Sequence, residues 1–402
     1  MAAVMRREEK LLWRHLAVRL YAAPVNRCRP RSPAGLFNAQ WIGIVQGLRR
    51  LGAPLTTPST ELEFDTSRLD QAMRARLPGL GGTMHMQRIS GGQSNPTFFV
   101  TYDQRRLVLR KQPPGPLMPS AHAIDREYRV QSALAGTGVP VPELLFYQED
   151  ASIIGTPFYV MERLDGRVFA DGGLPGVSAA DRAAMYRSMA ETMARLHRVD
   201  VSAIGLGDYG RPGNYFARQI ARWTRQWELA AQPAIPEITD LLAWLPANIP
   251  PEEAATLCHG DLRTGNMMFH PTEPRVIALL DWELSTIGHP LSDLAYNAMA
   301  WRTLPDEYGG IRGLDLPGLG IPTEAEYLAH YRRAGGHPTP PIPFHFAFVM
   351  FRFAVIFAGI AARAAAGNAA ADNAAEVGTR LTRALARRAV EAITPKAHRA
   401  PD

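Results

Sequence analysis

The sequence predicts an α+β protein in which a small sheet-plus-helix unit precedes a larger, mainly helical one. Three observations carry this. Strand-like runs cluster between residues 84 and 163, with one helical stretch among them. Long helical periodicities dominate from Ala179 onward. A single short β-like section, 256–280, interrupts them. There is no internal repeat of the solenoid kind, and 402 residues allow two or three compact units. The expected division is an N-terminal extension over 1–63, a first unit over 64–163 and a second over 164–402.

The extension differs from the rest. Residues 8–21 can form a basic amphipathic helix with Leu12, Leu16 and Leu20 on one side, and a Pro/Arg-rich stretch over 24–33 follows. It is read as a poorly ordered appendage. In the first unit, Thr66 or Ser67 can cap a helix through Arg76, ended by Pro78 and the glycines of 79–82. A strand over 86–89, the pair Gly91 and Gly92, and a β-rich run over 97–102 come next. The polar turn 103–105 joins that run to 107–110 as a β-hairpin. A helix over 123–134 turns Ile124, Tyr128 and Val130 toward the core, and 139–146 and 157–161 read as further strands.

The formal net charge is +6, which raises the question of nucleic acid. Its location answers it: residues 1–60 hold ten Lys/Arg against two Asp/Glu, and the other 342 hold 34 against 36. A nucleic-acid-binding body carries a basic patch or stripe, so that class is set aside. Cys28 and Cys258 stand far apart with no CxxC, which excludes a disulfide framework and argues against structural zinc. The start lacks the apolar core of a secretory signal. The most apolar stretch, 344–362, approaches the length of a membrane span. It contains His345 and Arg352 and follows the Pro-rich run 338–343, so it is read as a buried helix. Neither membrane nor nucleic acid is expected as a partner, and the expected location is cytoplasmic.

Chemistry concentrates in 257–280, read as apolar strand, polar loop, apolar strand, with HGDLRTGN in the loop. Asp261 and Asn266 are five apart, and Asp281 ends the second strand. Phosphoryl transfer needs a carboxylate to position the acceptor, oxygen ligands for Mg²⁺, and cations on the donor phosphates. Mg²⁺ prefers hard oxygen ligands, and Asp261, Asn266 and Asp281 supply that set.

HGD-x4-N followed by LLDWE resembles the aminoglycoside phosphotransferase family, which has the protein-kinase-like two-lobe fold. Protein kinases carry H-R-D-x4-N and D-F-G in the same order; here Gly260 stands at the Arg position and Trp282-Glu283 follow Asp281. No segment ending in A-P-E follows, so activation-loop regulation is not implied. The resemblance covers roughly 84–365. Within it, GGQSNPTFFV, VLRKQPPG, PSAHAIDREYR and LLDWELSTIGHPLSDLAYN resemble the kinase-like domains fused or adjacent to acyl-CoA dehydrogenases. That subgroup implies a hydroxyacyl kinase rather than a drug-resistance enzyme, and a functional link to an acyl-CoA dehydrogenase.

The resemblance implies ATP and Mg²⁺ as cofactors, with Asp261 accepting or orienting the proton of the acceptor hydroxyl and Asn266 and Asp281 holding the metal. His259 is expected to brace the loop, and Asp293 to anchor its backbone. In the loop from Ser90 to Asn95, Gly91 and Gly92 let backbone N–H groups approach phosphate, with Ser94 or Asn95 as added donors. Strand parity puts Arg110 at the phosphate-binding position, on the face of Val108. The scarcity of lysine, three of 44 basic residues, points instead to Lys111. Glu127 is the expected ion-pair partner, and backbone groups of Glu162 and Leu164 are the expected adenine contacts.

For the acceptor, a small-molecule hydroxyl, the candidates are Arg263, Glu283, His345 and Arg352. His345, Arg352 and Arg363 are 7 and 11 apart, one helix face to within about 20°. Such a basic stripe suits an anionic or acyl-CoA-like ligand better than a polycation. An aminoglycoside phosphotransferase and a nucleotide-binding pseudokinase acting as an interaction module are the alternatives. Acceptor identity and oligomeric state stay open.

Overall fold

A computed structural model describes residues 64–89, 95–115, 123–211, 213–251, 255–365 and 373–394. The extension over 1–63 lies outside the described residues. Helix α1 (Thr66–Arg76) starts one residue earlier than expected because Asp65, not Thr66 or Ser67, is the cap, accepting the Ser67 N–H at 2.8 Å. Strands β1 (His85–Arg88), β2 (Thr97–Thr101) and β3 (Arg106–Lys111) follow. Helix α2 (Ile124–Leu134) leads to β4 (Leu144–Gln148) and β5 (Phe158–Glu162). The sheet order is β1-β2-β3-β5-β4, antiparallel throughout. Only Leu144 onward pairs in the segment read as 139–146, since Pro140 and Pro142 lack the N–H a ladder needs.

Side-chain alternation divides the sheet's surroundings. Leu107 and Leu109 of β3 join Phe98, Val100, Phe158 and Val160 in one apolar cluster, closed by Leu69 and Met73 of α1. Val130 and Leu134 of α2 instead join the cluster that fills the rest of the molecule. Helix α2 thus bridges the sheet and the helical body, and β3 is hydrogen-bonded to a strand on each side.

The body contains β6 (Arg167–Val168), α3 (Ala179–His197), α4 (Tyr215–Ala230), α5 (Pro236–Ala247) and β7 (Thr256–Cys258). Next come β8 (Met267–Phe269), β9 (Val276–Leu279), β10 (Thr286–Gly288), α6 (Pro290–Ala298) and α7 (Leu316–Leu319). It closes with α8 (Glu324–Arg333), α9 (Pro343–Ala365) and α10 (Ala374–Ile393). The strand before the HGDLRTGN loop does not pair with the strand after it. β7 pairs with β10, while β8 and β9 form their own hairpin. The loop is therefore held between two small sheets and not on one two-strand base.

Helix α9 is buried at every position from Phe344 to Ala361. It is long and apolar enough to cross a membrane, and the fold encloses it. Helix α10 lies against it at close range: a Cβ on Gly378 would stand 2.8 Å from the Phe357 carbonyl oxygen.

Candidate active site

One face of α6 organises the loop at 259–266. Asp293, Tyr296 and Asn297 are spaced i, i+3, i+4 and so share a side of the helix. Asp293 accepts the backbone N–H groups of His259 (2.6 Å) and Gly260 (3.0 Å). Tyr296 donates its hydroxyl to Asp261 Oδ1 at 2.6 Å, and Asn297 Nδ2 donates to the Leu262 carbonyl at 2.9 Å. Burial opposes the Asp293 charge, but the hydrogen bond and charge of His197 with the loop donors hold its pKa below the ordinary carboxylate value.

His259 is fully buried and acts inside the loop: Nε2 meets the Leu280 carbonyl at 2.9 Å and Nδ1 accepts the Asp261 N–H at 3.3 Å. Those partners require the neutral Nε2–H tautomer. Gly260 has φ +83°, and a Cβ there would lie 2.4 Å from the Leu284 carbonyl oxygen. Glycine is the residue that fits this turn.

Across the cleft, β3 and α2 deliver a charged cluster. Parity holds: Arg110 faces the loop, with its guanidinium 2.8 Å from Glu127 Oε2, 2.8 Å from Asp281 Oδ1 and 3.9 Å from Glu283 Oε2. Lys111 points to the other face, where it is buried with its ammonium 5.5 Å from the Phe64 ring centroid. The reading of Lys111 as a phosphate contact is corrected on that ground. Burial raises the Glu127 pKa, with Arg110 pulling the other way. For Arg110, burial is outweighed by Glu127 and Asp281, and its pKa is pushed well up. Tyr159 and Asn95 also donate to Glu127. Asn95 is therefore buried with its amide turned to Glu127, which corrects its reading as a phosphate donor. Gly91, Gly92 and Ser94 lie outside the described residues.

Asn266 Nδ2 donates to the Asp261 carbonyl (2.9 Å) and to Asp261 Oδ2 (2.7 Å), which fixes the amide's orientation. Its Oδ1 is buried with no hydrogen-bond partner among the described residues. An orphaned buried acceptor costs about 1–3 kcal/mol, and a hard cation would satisfy it. The Leu280 N–H donates to the Asn266 carbonyl at 2.9 Å, so the backbone holds Asn266 beside Asp281. Asp281 adopts the left-handed region at φ +67°, a strain typical of side chains held for function. This amide-plus-carboxylate pair fits Mg²⁺.

Beside Asp261 an open pocket is lined by Arg263, Thr264, Tyr296, Thr303, Tyr308 and Arg380, among others. Arg263, its guanidinium largely buried and its Nε 3.6 Å from Asp261 Oδ1, belongs to it. The other acceptor candidates do not line it. Glu283 sits with the Arg110 cluster. His345 is buried, accepts the Ile342 N–H at the start of α9, and is depressed to about 3 by burial and then by His289. Arg352 is buried behind the loop, where it donates to the Gly260 carbonyl at 3.2 Å. The stripe on α9 is real as a pattern, but His345 and Arg352 face the interior and Arg363 is half-buried, so the inference of a ligand site from it is corrected. At the far end of β5, the Glu162 side chain pairs with Arg105 and its N–H is given to the Glu143 carbonyl. Any adenine contact of Glu162 would run through its carbonyl, and Leu164 follows it, half-buried.

Sequence reasoning missed Tyr296, Tyr308 and Arg380. Tyr296 had a signal, the helical i+3 relation to Asp293. Arg380 had none, because α10 is brought to the pocket by packing on elements distant in sequence from Asp261, α9 among them.

Residues 85–341 match the phosphotransferase enzyme family. Acyl-CoA dehydrogenase family member 10 of Mus musculus is 42% identical over 363 residues, covering 87% of this chain and 34% of its own. The chain spans less than half the length of the curated relatives it matches. A crystal structure from Ralstonia eutropha, provisionally called an aminoglycoside phosphotransferase, is 46% identical with a TM-score of 0.74. It covers 82% of this chain and 98% of its own. A thermostable aminoglycoside phosphotransferase in complex with AMP-PNP and hygromycin B is 18% identical. It covers 80% of this chain and 98% of its own at a TM-score of 0.52, a likeness of fold alone. The two-lobe α+β architecture is that of these phosphotransferases.

Proposed function

The chain belongs to the phosphotransferase enzyme family, and on that premise we propose that it transfers the γ-phosphoryl group of Mg-ATP to a hydroxyl of an anionic small molecule, such as a hydroxyacyl thioester. The observation that carries the reading is the convergence on one cleft of Asp261, the orphaned oxygen of Asn266, Asp281 and Arg110. Asp261 takes the proton of the acceptor hydroxyl as the oxygen–phosphorus bond forms and the bond to ADP breaks. Arg110 binds donor phosphate in bidentate fashion; before nucleotide arrives, its ion pair with Asp281 keeps both charges in place. When bound by Asn266 and Asp281, Mg²⁺ supplies charge neutralisation on the donor phosphates.

The pocket's charge supports the acceptor class. Polycationic drugs need several convergent carboxylates, and the lining offers Arg263 and Arg380 against Asp306 alone. Asp306 and Arg380 pair with each other at 3.5 Å, so the lining holds no cluster of carboxylates for a polycation. The relatives' names, acyl-CoA dehydrogenases, agree with an acyl acceptor and with a functional partnership to such an enzyme.

The test is ADP release and phosphorus NMR of product with Mg-ATP and a panel of hydroxy acids, short-chain hydroxyacyl-CoAs and aminoglycosides. Hydroxyacyl thioesters are expected to be phosphorylated. Asp261→Asn is expected to lower transfer at least about 100-fold while Mg-ATP affinity is retained. Preferred turnover of an aminoglycoside would refute the acceptor class, and a wild-type protein that neither phosphorylates any acceptor nor hydrolyses Mg-ATP would refute the kinase in favour of an interaction module.

A further inference from the structure

We propose that Tyr296 is the positioning residue for Asp261, holding its carboxylate in the orientation that meets the acceptor hydroxyl at the pocket wall. The inference rests on the phosphotransfer reading above. Asp261 has one fixed donor on each oxygen, the Tyr296 hydroxyl on Oδ1 at 2.6 Å and Asn266 Nδ2 on Oδ2 at 2.7 Å. Each carboxylate oxygen keeps a lone pair beyond its fixed donor, so two struts orient the group without consuming its capacity to accept a proton. The struts come from different places. Asn266 belongs to the loop itself, whereas Tyr296 belongs to α6, the helix whose Asp293 and Asn297 already hold the loop backbone.

Tyr296 is itself fixed. Its ring stacks on Phe353 of α9 with centroids 4.6 Å apart and planes 2° from parallel. Its phenol proton is retained because burial, then the Asp261 charge, pushes its pKa far above the ordinary value. The same side chain lines the pocket with Arg263 and Tyr308, whose hydroxyl is 3.4 Å from that of Tyr296. Without the phenol, Oδ1 is left with Arg263, whose Nε is 3.6 Å away. The carboxylate is then free to turn toward that cation. A group held within about 0.5 Å of its working geometry by a rigid element loses rate when that support goes, and a misplacement of about 1 Å can cost on the order of 100-fold.

Tyr296→Phe removes the hydroxyl and keeps the stacked ring. The experiment measures two reactions of the full chain: transfer from Mg-ATP to the hydroxyacyl-CoA panel, and slow Mg-ATP hydrolysis with water as acceptor. The expected result is a fall in kcat of about tenfold to 100-fold with KM for Mg-ATP within about twofold. A cooperative thermal transition confirms that the variant folds. In the Asp261→Asn background, Tyr296→Phe is expected to cost nothing further, because it acts through that carboxylate. A kcat within about twofold of wild type overturns the proposal. So does a loss that multiplies with Asp261→Asn, which would mark a structural role. Wild-type protein that hydrolyses Mg-ATP but phosphorylates no panel member refutes the acceptor class alone, and the comparison is read on hydrolysis. Wild-type protein inert in both reactions refutes the phosphotransfer reading and this inference together.

Discussion

Replacing Arg110 by Met keeps the aliphatic stem and deletes the guanidinium that joins Glu127, Asp281 and Glu283. The stability effect falls on Glu127, which is 1% exposed and keeps only neutral donors from Asn95 and Tyr159. Breaking a buried pair by removing one partner costs about 3–5 kcal/mol. Protonation of Glu127 limits this, since burial already raises its pKa and Arg110 is what restrains it. A loss of about 3 kcal/mol is therefore expected from urea unfolding near neutral pH.

The pH dependence follows from the same carboxyl. With its folded pKa raised further, Glu127 in the variant adds stability below the unfolded value and loses it as pH rises. The deficit relative to wild type should accordingly shrink toward pH 5. Function separates from stability in Arg110→Met/Glu127→Leu, where no buried charge is stranded and most of the stability should return. Mg-ATP affinity should not: charge-assisted hydrogen bonds of about 1.5–3 kcal/mol are gone, a weakening of roughly tenfold to 100-fold by calorimetry. A deficit independent of pH, or a double variant that regains nucleotide affinity, would refute the assignment of Arg110 to both roles.

Two further expectations concern the loop and the helix starts. Gly260→Ala forces a left-handed residue, at about 1–2 kcal/mol, and drives a Cβ to 2.4 Å from the Leu284 carbonyl oxygen. A lowered thermal midpoint together with a reduced kcat is expected, and wild-type values for both would contradict the account of the turn. His289 and His345 are depressed to about 4 and about 3, chiefly by burial. Each accepts an N–H near the start of its helix, from Leu291 and Ile342, which needs a neutral ring. The unfolded chain binds these protons near pH 6.5 and the folded chain does not, so stability is complete above that value and falls as pH drops toward 4. The slope is at most about 1.4 kcal/mol per pH unit for each ring. Urea midpoints between pH 7.5 and 5 measure it, and His345→Gln should lessen the slope; an unchanged slope in the variant would count against the assignment.

Much of this was legible because local patterns answered to local physics. The 97–110 hairpin, the helix at 123–134 and the loop with Asp261, Asn266 and Asp281 all depend on residues close in sequence. Strand period 2 favoured Arg110 over Lys111, and the structure separates them by turning Lys111 to the other face of the strand. What resisted reading depends on which element covers which. The line of His345, Arg352 and Arg363 has the same periodicity whether it faces ligand or core, and only the neighbours of α9 show that His345 and Arg352 face the core. The pairing of β7 with β10 was equally hidden, because three-residue strands carry too little pattern to specify a partner.

Burial of Arg352 on α9 gives that residue a structural part in the site. Arg352 reaches Gly260 from behind the loop, and Asp293, Tyr296 and Asn297 reach it from α6. The loop is therefore gripped through its backbone and its carboxylate by two core helices, and α9 contributes a strut where a ligand surface was expected. On the phosphotransfer reading proposed above, acceptor specificity would change at Tyr308 and Arg380 of the pocket wall while the supports of Asp261 stay fixed. The pocket wall on α10 can then vary without moving the loop held by α6 and α9.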